Sequence, residues 1–351
     1  MRIGLITGPC PPGECGVGDY TTCLVKALKA NGADTSVVSS GKWTLLGVFE
    51  TIKYLRAQKF DIVHIEYPTV GFGYKLGPQG LSLLQNCVVT IHEASQRRIL
   101  RKLSLLPFSF RPEHIIFTSH FERQFATKWA PWIAPASSVI PVGSNILAAT
   151  RESQRTLGEI VYFGLIIPRK ELEQVLELAK LIKLAGLSLI IRVIGRVPDR
   201  YEAYFEELLS KATGLPIIWD RALNEEQVAE RLASTSIAYL PYWDGASDRR
   251  TTLRAALLNG LAVITTRGPQ TPRDLGRVVR FCQNSKETLA EIASLIRNPE
   301  EISRMRTKAV QYGERYSWES IAKLHLEIYH SVLRKRSSYN IVQAENRKVT
   351  G

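Results

Sequence analysis

Short apolar runs alternate with amphipathic stretches along the first half of the chain. Ile3 to Thr7, Ala33 to Ser39, Asp61 to Ile65, Cys87 to Ile91, His114 to Thr118 and Ser138 to Ile140 carry the strand signature, and Tyr20 to Ala30 and Leu45 to Ala57 repeat apolar residues at helical spacing. Such alternation predicts a mostly parallel sheet with helices on both faces. A second series follows, with strands at Glu159 to Phe163, Ser188 to Ile194, Pro216 to Ile218, Ser236 to Leu240 and Ala262 to Thr265. Its helices fall at Glu171 to Ala185, Tyr201 to Lys211, Glu225 to Ala233 and Thr251 to Asn259. Leu147 to Leu157, polar and without period, predicts a linker. The expectation is an α/β protein of two Rossmann-like, doubly wound domains, 1–150 and 151–315, helical beyond Pro299 and fraying in a polar tail over 337–351.

Composition narrows the setting. The 351 residues, 45% of them hydrophobic, supply enough apolar material for two cores. Met1 to Ile6 is too short for a signal peptide, and no later apolar run is long enough for a bilayer span. Cys10, Cys15, Cys23, Cys87 and Cys282 form no CxxC pair. Together these predict a soluble, cytoplasmic protein with reduced thiols. The net charge of +13 calls for an anionic partner. The cations are spread along the chain without zinc-finger, RNP or leucine-zipper patterns, which argues against nucleic acid and for phosphate ligands or anionic lipid.

Ligands of open parallel sheets bind beyond the carboxyl ends of strands, so the residues that follow each strand carry the chemistry. After the first strand comes a loop from Gly8 through Gly16, Val17, Gly18 and Asp19 to Tyr20, rich in proline and glycine and leading into a helix. Its amides suit a phosphate or sugar oxygen, although it does not match GxGxxG in register. Glu66 follows the third strand and His92 the fourth, at one sheet edge, where they can orient hydroxyls or move a proton. His64 lies inside its strand and carries less weight. No histidine pair has helical metal-ligand spacing. In the second series, Gly164 closes a strand and Arg169 and Lys170 open a helix, where a diphosphate would offset two cations placed against the helix dipole. Asp244, Gly245, Ala246, Ser247, Arg249 and Arg250 link a strand to the Thr251 helix, small residues exposing amides beside arginines that can clamp phosphate.

These motifs, in this order, resemble the family 4 retaining glycosyltransferases. The resemblance covers nearly the whole chain. It rests on the loop ending at Gly16-Val17-Gly18, on Thr90-Ile91-His92-Glu93, on Val139 through Gly143, on Gly164 through Lys170, on Pro241 through Ser247, on Gly260 through Thr266 and on Tyr316-Ser317-Trp318-Glu319. It implies the GT-B fold, two domains facing across a cleft, with a last helix, 316–336, crossing back to the first domain. It further implies transfer of a sugar from a nucleotide-sugar donor to a glycan or lipid-linked acceptor, with anomeric configuration retained and without a metal or other cofactor. By resemblance, Gly16 to Gly18 lie over donor phosphates and acceptor, and His92 sits near the transferred sugar. Lys170 neutralises the donor diphosphate, and Asp244 to Ser247 bind the donor sugar. Exopolysaccharide or other cell-envelope assembly is the implied setting.

The departures from the family pattern are specific. Leu165 stands where an arginine is usual, and Ser247 and Ala255 occupy the places of two glutamates, the second of which holds the ribose. Arg249 and Arg250, with Asp244 or Asp248, are the compensating candidates. A non-catalytic GT-B protein that binds a nucleotide sugar or a partner is therefore the alternative reading. The stretch 96–108 mixes cations with large apolar residues, which predicts either peripheral membrane association or a helix packed on the sheet with a solvated basic face.

Overall fold

A computed structural model describes residues 1–10, 15–39, 43–44, 47–73, 75–82, 84, 86–95, 103–110, 112–149 and 155–349, with side chains described as far as Ser337. The chain divides into two compact units, one of Met1–Val142 with Trp318–Gly351 and one of Gly143–Ser317.

The first unit is built on six parallel strands: β1 (Arg2–Ile6), β2 (Asp34–Val38), β3 (Ile62–Tyr67), β4 (Cys87–Ile91), β5 (His114–Phe117) and β6 (Ser137–Val139). They lie in the order β2-β1-β3-β4-β5-β6, so the winding reverses between β1 and β3. Around them stand α1 (Gly16–Ala30), α2 (Gly47–Ala57), α3 (Gly77–Leu81), α4 (His120–Trp129) and a long last helix, here α11 (Trp318–Val349). Successive strand side chains point to opposite faces. Val63, Ile65 and Tyr67 of β3 join Val89 and Ile91 of β4 in one core, while Ile62 and Val88 join Leu24 and Leu28 of α1 and Tyr329 of α11 in the other. By the same parity His64, Glu66 and Thr90 face α1 and α11.

Three boundaries differ from expectation. Glu66 lies within β3, which runs to Tyr67 because its register with β4 continues through Glu66↔Thr90 and Tyr67↔Ile91. Helix α1 starts at Gly16, which puts Gly16, Val17 and Gly18 in its first turn rather than in a loop. Pro11 to Glu14 of that loop lie outside the described residues. Helix α11 continues to Val349, past the point where the polar sequence predicts fraying, and no proline or glycine interrupts it.

The second unit has strands β7 (Thr156–Phe163), β8 (Ile190–Ile194), β9 (Ile217–Asp220), β10 (Thr235–Leu240), β11 (Ala262–Thr265) and β12 (Arg280–Phe281). All pair in parallel, in the order β12-β11-β10-β7-β8-β9. Its helices are α5 (Leu172–Leu184), α6 (Glu202–Ala212), α7 (Glu225–Ala233), α8 (Thr251–Leu258), α9 (Ser285–Ile296) and α10 (Pro299–Gly313). Two cores flank the sheet, one around Leu172, Ile182 and Ile191 and one around Val161, Leu253 and Val263. Each fully buried Leu or Ile contributes roughly 1.5–3 kcal/mol. Leu157, expected in a linker, belongs to β7. The preceding backbone is tied down by Asn259, which accepts from the Ala149 amide (3.0 Å) and donates to the Leu147 carbonyl (3.2 Å).

Candidate functional site

In the first unit, sheet parity collects a polar group beneath α1 and α11. His92, one residue past β4, donates from Nε2 to Glu66 Oε2 at 2.8 Å. Glu66 is fully buried, and its other oxygen, Oε1, has no hydrogen-bond partner among the described residues. A buried carboxylate oxygen left unmet is costly, and with Glu66 0% exposed this one faces the protein interior. His64 Nε2 lies 3.7 Å from that oxygen but is engaged with the Thr90 hydroxyl at 2.7 Å, and its Nδ1 meets the Tyr329 hydroxyl. Burial holds His64 well below the usual histidine range, aided by the nearby His325 and His92, so it is a neutral structural group. The His92 ring rests edge-on to Tyr20, with centroids 4.9 Å apart. Its side chain is 12% exposed, against 0% for Glu66, so His92 carries the pair to the surface. Gly18 is fixed by close approach: a Cβ there would lie 2.0 Å from the Pro9 carbonyl oxygen.

In the second unit, Lys170 stands within the electrostatic reach of Arg250. Burial, and then the positive charge of Arg250, hold the Lys170 ammonium below the ordinary lysine range. Burial lowers Arg250 as well. Arg250 pairs with Asp244 and lies over the Tyr242 ring at 4.7 Å, and its Nε is buried with no partner among the described residues. Two cations against one carboxylate leave positive charge that an anion would relieve. The Lys170 segment is held in a sparsely populated conformation, with Arg169 at φ 65° and Glu171 at φ 58°. The Tyr162 hydroxyl pins it by donating to the Lys170 carbonyl at 2.9 Å.

The loop Asp244 to Ser247 corrects one expectation. The amides of Gly245 and Ala246 are not presented outward. They donate to the carbonyls of Tyr242 (3.1 Å) and Thr266 (2.9 Å). Gly245, at φ 88°, crosses the Gly268 backbone so closely that a Cβ would lie 2.2 Å from the Gly268 nitrogen. Ser247 is buried, and its carbonyl accepts from the Arg250 amide at 3.0 Å. Of the compensating candidates, Asp244 is taken by Arg250, Asp248 accepts from the Tyr316 hydroxyl at 2.8 Å, and Arg249 is exposed. Ala255 is fully buried in the core, and Leu165 is 41% exposed.

A cavity of about 630 Å³ opens beyond the carboxyl ends of β7, β8 and β9. Gly164, Gly195, Arg196, Asp220, Asn224 and Thr251 are among its lining residues, with Asn145 and Ile146 at one edge. Gly143, buried, stands just before Ser144, whose amide donates to the Tyr316 carbonyl at 2.9 Å and whose hydroxyl donates to the Ile146 carbonyl at 2.7 Å. The volume falls within the roughly 300–1,000 Å³ of small-molecule and cofactor sites. Gly195, Arg196, Asp220 and Asn224 carry no motif in the sequence, although each follows or ends a strand as Gly164 and His92 do.

No protein-family model matches the chain, and no curated protein matches by sequence. Solved structures do. HepE of Anabaena in complex with UDP superposes with a TM-score of 0.69 at 14% identity, over 94% of this chain and 100% of that one. A glycosyltransferase from Rickettsia africae gives 0.67 at 13% identity, over 95% and 98%. Sucrose-phosphate synthase of Thermosynechococcus elongatus gives 0.65 at 13%, over 95% and 100%. The fold is GT-B. Within this GT-B chain the predicted residues divide in two: Gly16, Val17, Gly18, Glu66 and His92 belong to the first unit, and Gly143, Gly164, Arg169, Lys170 and Asp244 to Arg250 to the second. Among the described residues no three His, Cys, Asp or Glu side chains form a metal-binding group, and no helix is long and apolar enough to cross a membrane.

Proposed function

We propose that the protein is a glycosyltransferase of the family 4 retaining type, using a nucleotide sugar as co-substrate and an acceptor that is a glycan or a lipid-linked glycan. The observation that carries this reading is the 630 Å³ cavity beyond the carboxyl ends of β7, β8 and β9, in the unit that also holds Lys170 and Arg250, the latter with a buried Nε that no described residue meets. Two cations with incomplete compensation suit a diphosphate, whose negative charge grows as the glycosidic bond to it breaks. The cavity accommodates the nucleoside. In the first unit, His92, its Nε2 committed to Glu66 and its side chain 12% exposed, offers Nδ1 to a sugar hydroxyl. HepE, of the same fold, was solved with UDP and glucose, which supports a nucleotide-sugar donor here. The cytoplasmic side of cell-envelope or exopolysaccharide assembly is the setting we infer, and the cations take the part that a metal plays elsewhere.

Release of nucleoside diphosphate from a panel of UDP-, GDP- and ADP-sugars, with the product's anomeric configuration read by NMR, tests the proposal. One donor should be consumed in an acceptor-dependent way with configuration retained, and Lys170→Ala should slow turnover at least 100-fold. Ala255, buried in the core where the resemblance places a ribose-binding glutamate, favours a second reading, a binder without turnover. Nucleoside diphosphate binding with no donor consumed under any acceptor condition would establish that reading instead.

A further inference from the structure

Tyr162, next to last in β7, is buried in the core around Leu172, Ile182 and Ile191, yet its hydroxyl reaches beyond that core to donate to the Lys170 carbonyl at 2.9 Å. The path runs past Gly164. A Cβ at that glycine would lie 3.1 Å from the Tyr162 hydroxyl oxygen and 3.5 Å from the ring carbon that bears it, so the absent side chain leaves room for the phenol. Gly164 also lines the 630 Å³ cavity. One phenol therefore stands beside a lining residue of the cavity and holds the backbone of Lys170. Burial pushes the Tyr162 phenol far up, so it stays protonated and remains a donor throughout the working pH range.

The segment that carries Lys170 needs such a hold. Lys170 lies between Arg169 at φ 65° and Glu171 at φ 58°, both in the left-handed region that residues with a Cβ enter rarely. Glu171 is also the N-cap of α5, a place where the backbone is ordinarily extended. A conformation of this kind persists only where its surroundings impose it. The Tyr162 bond acts on the peptide that joins Lys170 to Glu171. Fixing that carbonyl fixes the plane of the peptide, and with it the direction in which the Lys170 side chain leaves the backbone. The start of α5 has an anchor of its own: Gln174 donates to Glu171 Oε2 at 2.6 Å and accepts from the hydroxyl of a second buried tyrosine, Tyr239, at 3.1 Å. The two tyrosines thus divide the work, Tyr239 holding the helix and Tyr162 the lysine.

We infer that Tyr162 is a positioning residue, its hydroxyl aiming the Lys170 ammonium at the diphosphate of the donor; the inference rests on the function proposed above for Lys170. Calorimetric titration of UDP, GDP and ADP, with competition by the matching nucleosides, tests it in the wild type, Tyr162→Phe, Tyr239→Phe, Lys170→Ala and the double variant Tyr162→Phe with Lys170→Ala. Tyr162→Phe should weaken the nucleoside diphosphate that binds by roughly tenfold and leave the affinity of its nucleoside unchanged. Tyr239→Phe, which removes a buried hydroxyl from the same core, should keep the wild-type ratio of the two affinities. On the Lys170→Ala background, Tyr162→Phe should cost nothing further. Equal losses for nucleoside and diphosphate, an equal change of ratio in Tyr239→Phe, or an additive double variant overturns the inference. If Lys170→Ala weakens diphosphate binding and Tyr162→Phe does not, the inference falls and the proposed role of Lys170 stands. If neither variant weakens it, or no nucleotide binds, both fall.

Discussion

Lys170 and Arg250 are separated by 80 positions in sequence, and strand-end reading reached both for the same reason: each follows a strand and precedes a helix. What the sequence could not resolve was which neighbour turns inward. Arg250 is partly buried, paired with Asp244 and lying over the Tyr242 ring, whereas Arg249 is exposed. Because burial and Arg250 lower Lys170's pKa, affinity for UDP should hold below that pKa and fall as pH rises through it. Lys170→Arg should abolish the alkaline fall, as followed by calorimetry across pH. The buried histidines make a separate prediction. Burial pushes His325 down to about 4, so its folded-state pKa lies below the unfolded value. The stabilisation is then complete above about pH 6.5 and is lost as pH falls from there toward 4, by about 2 kcal/mol at pH 5. His64 shifts in the same direction. Melting of wild type and His325→Asn at pH 7.5 and pH 5 checks this, and the variant should show the shallower dependence.

Strands were the most legible elements, because parallel strands buried on both faces read as short unbroken apolar runs such as Ile237 to Leu240 and Ala262 to Ile264. Their ends were less legible. Glu66 and Tyr67 look like loop residues by polarity and by the following proline, yet pairing with Thr90 and Ile91 keeps them in the sheet. Gly16 and Gly18 look like loop residues by propensity, yet they begin α1, where Gly18 allows the Pro9 carbonyl to approach. Close approach also governs Gly195, where a Cβ would lie 1.8 Å from the Gly164 carbonyl oxygen. Gly195→Ala should therefore force the ends of β7 and β8 apart, cost about 3 kcal/mol in thermal or urea unfolding and weaken UDP binding with it. Glu171 predicts the opposite. Its φ of 58° is one that glycine adopts freely, so Glu171→Gly should raise stability by about 1 kcal/mol, read as a higher melting temperature.

At the scale of the molecule, the two series of alternating elements correspond to two sheets of six parallel strands, with the winding reversed between β1 and β3 in one and between β7 and β10 in the other. That much followed from hydrophobic periodicity, which is a property of each segment. The return of the chain from Trp318 to the first unit did not, since contacts such as those of Tyr329 with His64 join residues far apart in sequence. The unit Gly143–Ser317 should bind a nucleoside diphosphate through Lys170 and Arg250. Calorimetric titration of UDP, GDP and ADP into the wild type, Lys170→Ala and Arg250→Ala tests it directly. One nucleotide should bind the wild type and lose at least tenfold in affinity in each variant. Absence of binding by all three nucleotides, or equal affinity in wild type and variants, would contradict it.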